Sequence, residues 1–88
     1  MIPKNITKDH ILSAIKRIDS EIIDSKRKER KWAVEYNHKI YPCKLIISYA
    51  NVFANNEELD PSPNVFTTYM AQDYLKKFNF KIIKLNTN

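Results

Sequence analysis

None of the 88 residues is glycine. A chain without glycine has no Walker sequence, glycine-rich phosphate loop or nucleophile elbow, because each of these needs a backbone free of Cβ at fixed positions. Its turns fall to other residues. Asn37 and His38 tolerate turn geometry between two strand-like runs, and Asn79 suits a left-handed position at a helix end. A chain of this length is too short to divide into two stable cores, so residues 1–88 are expected to form one domain. Its composition, 43% hydrophobic and 11% aromatic, is enough for a compact core. The single cysteine, Cys43, excludes an internal disulfide framework. With no N-terminal apolar segment and no run of about twenty apolar residues, the expectation is a cytoplasmic protein that does not engage a membrane.

Residue patterning predicts an α+β domain of order α-β-β-α-α-β, with a small antiparallel or mixed sheet packed against helices. Thr7 is a candidate N-cap, Asp9 suits the positive end of the helix dipole, and Ile11, Ile15, Ile18 and Ile22 recur at helical spacing. A helical start is therefore expected over 7–23, its last residue being 22 or 23. "DSKRKERK", 24–31, lacks apolar anchors and reads as a basic connector. In "KWAVEYN", Trp32, Val34 and Tyr36 alternate with Ala33 and Glu35, the period of a half-buried strand, and "KIY" returns as the second arm of a hairpin. Pro42 fits the first turn of a second helix, where its missing N–H costs nothing. Leu45, Ile46, Tyr49, Ala50 and Phe53 form one apolar stripe of that helix, which should end near Asn55. "EELDPSPN" is expected to be an exposed loop. Thr67 or Thr68 can cap a third helix carrying Met70, Tyr74, Leu75 and Phe78, so that hairpin and helices occupy 32–78. "FKIIKL", 80–85, has the β-branched and aromatic content of a closing strand.

The net charge is +5 and unevenly distributed. "KRKERK" carries Lys26, Arg27, Lys28, Arg30 and Lys31 against Glu29 alone, whereas "NNEELD" carries Glu57, Glu58 and Asp60 with no base. Such polarity suits a polyanion on one face, and taken alone the run equally suits a solvated lysine-rich surface. Lys39 and Lys44 flank the expected start of the second helix, where backbone N–H groups also attract phosphate. The Lys44 stem equally suits snorkelling over the hairpin. Tyr41 and Pro42 suit a packing corner better than a base-stacking platform. Lys76, Lys77, Lys81 and Lys84 form a second basic set, of which the first two also complement a helix C-terminus.

The motifs "ITKDHILSAIKRID", "KWAVEYNHKIYPCKLIISYAN", "EELDPS" and "YLKKFNFKII", in this order, span most of the chain. Together they resemble the N-terminal head domain of ScoMcrA-like HNH restriction endonucleases, which act on modified DNA. The most specific part is the tyrosine, proline and lysine of "YPCK" followed by "ISYAN". Cys43 stands where that family has a second proline, Thr67-Thr68 where it has a glycine pair, and Asn79 where it has a glycine. The resemblance implies a single head domain over 1–88, either excised or free-standing. Its implied role is to bind DNA, as a plain or a modified duplex, or to sense a substrate, with bond breaking left to a nuclease domain supplied elsewhere.

The catalytic inventory points the same way. His10, His38 and Cys43 match no zinc spacing, and "NHK" lacks the separate metal-binding and general-base histidines of a nuclease centre. Glu57, Glu58 and Asp60 lack the alternation and glycine turn of a calcium loop. No catalytic residue, metal, cofactor or small-molecule substrate is therefore expected. A rival reading is a protein-interaction module or a phage-borne inhibitor, with Trp32, Tyr36, Glu57, Glu58 and Asp60 as its contact surface.

Overall fold

A computed structural model describes residues 1–21 and 31–85. The elements are α1 (Lys8–Asp19), β1 (Trp32–Tyr36), β2 (Lys39–Pro42), α2 (Cys43–Asn55), α3 (Thr68–Lys77) and β3 (Lys81–Lys84). The α-β-β-α-α-β order is the one the patterning predicts. Both β2 and β3 pair antiparallel with β1, giving a three-stranded sheet of order β2-β1-β3.

Helix α2 is the centre of the molecule. Cys43 and every residue from Leu45 to Asn51 are buried, so the helix is enclosed on nearly all sides rather than along one stripe. Helix α1 lies antiparallel against it: Arg17 near the end of α1 meets the Tyr49 ring, while Asn5, ahead of α1, hydrogen-bonds Asn55. Ile11, Ala14, Ile15 and Ile18 give α1 its buried face. Phe66, Ala71, Tyr74, Leu75 and Phe80 join the same core from the far side of α2. Phe53, expected within the apolar stripe, is instead 46% exposed, facing an open groove beside Ser13, Lys16, Arg17 and Ser20 rather than the core.

Capping sets the helix limits. Thr7 and Thr67 are the N-caps of α1 and α3, each accepting a hydrogen bond from the backbone N–H three residues on. His10 closes the first box, its Nδ1 accepting from the Thr7 N–H at 3.0 Å. Helix α1 stops at Asp19, short of residue 22, because Ser20 turns back on the last turn: its hydroxyl and its N–H both donate to the Arg17 carbonyl, at 2.8 and 3.1 Å, and the Glu21 N–H donates to Ile18 at 3.2 Å. Pro42 is not in the first turn of α2; it is the N-cap and also ends β2, with an extended ψ of 127°.

The turns show how a glycine-free chain reaches left-handed backbone. Asn37 (φ 50°) and His38 (φ 67°) form the two-residue hairpin turn, and Asn56 and Asn79 (both φ 67°) follow α2 and α3. Positive φ at both central residues defines a type I′ turn, whose twist matches that of the strands. Cross-strand partners share a sheet face, so Val34, Tyr41 and Ile82 lie together on one side and Ala33, Pro42 and Ile83 on the other. Val34 belongs to the core, as the alternation predicts, and Tyr41 of β2 joins it there. Ala33, expected on the polar face, is 1% exposed, a methyl group flanked by Pro42 and Ile83.

Candidate nucleic-acid interface

The cations named from sequence fall into distinct settings. Lys26, Arg27, Lys28 and Arg30 lie outside the described residues, as does most of the 24–31 connector. Lys31 is described, exposed, and fixed at the mouth of β1, where its carbonyl accepts the Leu85 N–H at 2.6 Å. That bond carries the β1–β3 pairing one step beyond the Trp32–Lys84 pair. Lys31 and Lys84 therefore share one end of the sheet, although 53 positions separate them in the chain. The Lys84 ammonium lies 5.9 Å from the centre of the half-buried Trp32 ring. In the sequence, Lys31 directly follows Arg30 and so closes the basic run that begins at Lys26.

Two other cations are held within the fold. Lys39 lies 3.6 Å from Asp19, whose two carboxylate oxygens also accept from the Tyr41 hydroxyl, each at 2.9 Å. Burial, then the Asp19 hydrogen bond and charge, push the Tyr41 phenol up to about 12. Lys44 reaches the 56–67 loop rather than the hairpin: its ammonium donates to the Pro61 carbonyl and lies 4.8 Å from the centre of the Phe66 ring. In the second basic set, Lys81 pairs across the strands with Glu35 at 3.3 Å, and Lys77 lies over Tyr74 at 4.3 Å.

Lys44 belongs to a polar row along α2 that the residue pattern alone did not single out. Ser48 donates to the Leu59 carbonyl at 2.8 Å, and the Leu59 N–H returns to the Ser48 carbonyl at 3.2 Å. Asn51 donates to the Glu57 carbonyl at 2.8 Å, and Asn55 joins Asn51 to Asn5. Positions 44, 48, 51 and 55 follow helical spacing, so one edge of α2 clasps the acidic loop and the segment before α1. The legible signal was a polar row at i, i+4, i+7 and i+11 in an otherwise apolar helix.

The clasped loop presents its acids outward. Glu57, Glu58 and Asp60 are exposed, and Asp60 accepts the Ser62 N–H at 2.9 Å. Among the described residues no group of three or more His, Cys, Asp or Glu is placed to hold a metal ion. Tyr36 is half-buried and packs its ring 5.8 Å from that of Phe80. His10 is committed to its cap, His38 to the hairpin turn, and Cys43 is wholly buried. No described helix is long and apolar enough to cross a membrane. Searches of protein-family models, curated proteins and solved structures found no match to the chain.

Proposed function

We propose that this chain is a non-catalytic nucleic-acid-binding head, with duplex DNA as its polyanion and a nuclease supplied by another domain or protein. The carrying observation is the sheet corner, the end of the sheet where the Lys31–Leu85 backbone bond adjoins the Trp32–Lys84 pair, so that two lysines, one just before β1 and one in β3, sit at the same end and the Lys84 ammonium lies over Trp32. Lysines fixed on a sheet end give phosphate contacts of set spacing, which position a protein on a backbone without reading its sequence. The resemblance of "YPCK…ISYAN" to the head of modification-dependent restriction enzymes supports DNA as the polyanion and a cytoplasmic setting. Lys39 and Lys44 are secondary contacts here, since each must first leave Asp19 or the Pro61 carbonyl.

Anisotropy of a labelled duplex, plain and with modified cytosine, tests this reading at low ionic strength. The expected result is binding that Lys31→Gln with Lys84→Gln weakens by several-fold. Absence of binding to every duplex, or affinity indifferent to both lysines, overturns it. The protein-interaction reading has its own support in the exposed Met1, Tyr69 and Met70. Met1 and Met70 line an open groove of about 360 Å³ together with Ile2 and Tyr74. A partner whose capture is abolished by Tyr69→Ala but kept on Lys84→Gln favours that alternative.

A further inference from the structure

From the geometry of α1 and α2 we infer a second binding surface, a groove that takes an unpaired nucleobase and its phosphate and so confers affinity for single-stranded nucleic acid. The groove is open, about 330 Å³, and lined by Ser13, Lys16, Arg17 and Ser20 of the α1 side and by Phe53 of α2. It shares no residue with the sheet corner.

Phe53 is the first part of the argument. A phenyl ring 46% exposed in the last turns of an otherwise enclosed helix is an unfilled apolar face. Every base has a π face, so exposed aromatic rings beside cations make sequence-tolerant stacking platforms for single strands. A duplex keeps its bases stacked and does not offer that face.

Arg17 is the second part. Its guanidinium lies 4.1 Å from the centre of the Tyr49 ring, and its Nε donates to Glu21 at 3.1 Å. Glu21 in turn accepts the Tyr49 hydroxyl at 2.9 Å. The planar cation is thus held in place as one wall of the groove, and because Glu21 offsets its charge the phosphate contact falls to Lys16. Lys16 is exposed in the same turn, and Ser13 and Ser20 bring hydroxyls to the same wall. Lys16 and Arg17 also offset the negative end of the α1 dipole, and that role alone would not require an aromatic ring facing them from another helix.

The test uses the full chain and a fluorescein-labelled oligothymidylate of about twelve nucleotides, within the length one small domain covers. Phe53→Ala is expected to weaken oligothymidylate binding roughly 5- to 100-fold while changing duplex affinity by less than about twofold. Lys16→Gln weakens it by several-fold, with a shallower salt dependence. Phe53→Trp retains affinity, and its added indole emission, compared with wild type carrying Trp32 alone, is quenched by the oligonucleotide. Thermal melts of each variant separate impaired stacking from impaired folding. Unchanged oligothymidylate affinity in Phe53→Ala, an equal loss for duplex and single strand, an unquenched Phe53→Trp, or no single-strand binding by wild type each overturns the groove. Duplex binding that depends on Lys31 and Lys84, found together with oligothymidylate affinity that Phe53→Ala leaves unchanged, leaves the sheet corner standing while the groove fails.

Discussion

Asp19 is the residue on which the hairpin and α1 meet. A carboxylate at a helix C-terminus opposes the dipole, so this position needs compensation. Tyr41 supplies it with a hydroxyl 2.9 Å from both oxygens, and Lys39 adds a cation at 3.6 Å. A hydrogen bond to a charged acceptor with this geometry contributes about 1–2 kcal/mol, and Tyr41→Phe is expected to cost that much in urea melts at neutral pH. The pH dependence has a definite sign. The folded phenol is held up at about 12 against an ordinary value of 10.0, so below pH 10 both folded and unfolded chains keep the proton and the contribution is complete. Between 10 and about 12 the unfolded chain ionises first, and the stabilisation is lost as pH rises. The stability gap between wild type and Tyr41→Phe should therefore close over that interval. A gap that stays constant to pH 12 contradicts the assignment.

At the scale of the element, left-handed backbone without glycine carries a cost. Asn tolerates positive φ better than most residues, and His38 at φ 67° is the less suited member of the hairpin turn. His38→Gly yields the favoured Asn-Gly type I′ pair and is expected to stabilise by about 0.5–1 kcal/mol, raising the melting temperature by roughly 3–6 °C. Asn56→Ala, which puts an unassisted Cβ at φ 67°, is expected to lower it. Calorimetry of the two variants checks the opposite signs. Features of this local kind are the ones legible in sequence: Thr7 and Thr67 as caps, Asn79 at its helix end, the hairpin at Asn37-His38 and the order of the elements. Periodicity reports which face a segment buries and where capping chemistry sits nearby. It does not report what lies opposite each residue in the packed fold, so the exposure of Phe53 beside a groove and the burial of Ala33 between Pro42 and Ile83 are not visible in it. Pairings across the fold leave no local trace either, so the Tyr41–Asp19 contact and the Ser48 and Asn51 clasps emerge only from the packed structure. The candidate site was half legible, since the basic run and the lysines of the last strand stand out as clusters but their meeting at Lys31 and Lys84 depends on the β1–β3 register.

For the whole molecule, the arrangement of charge matters more than its total. Nine residues, 22–30, contribute +2 of the net +5. Elsewhere several lysines face acids across the surface, Lys39 with Asp19 and Lys81 with Glu35. Exposed pairs of this kind are worth little to stability, but each sets a carboxylate beside any phosphate that approaches and cancels the local field. A phosphate bound at such a pair therefore gains little beyond what the carboxylate already supplies. Because the cations are densest in positions 26–31, that run, with Lys84 at the same end of the sheet, is expected to dominate the counterion release that makes binding salt-dependent. Removing one cation that neutralises a phosphate should lower the slope of log affinity against log salt by roughly 0.9. Replacing Lys26, Arg27, Lys28 and Arg30 with Gln should thus flatten the duplex-binding slope by several units, and adding Lys31→Gln and Lys84→Gln should flatten it further. Lys39→Gln with Lys81→Gln removes as many positive charges as the corner pair and should leave the slope close to that of wild type. Anisotropy titrations across about 50 to 200 mM salt measure all of these in one series. Equal flattening by Lys39 with Lys81 and by Lys31 with Lys84 would mean that net charge alone governs association, and the sheet corner would lose its claim to be a site.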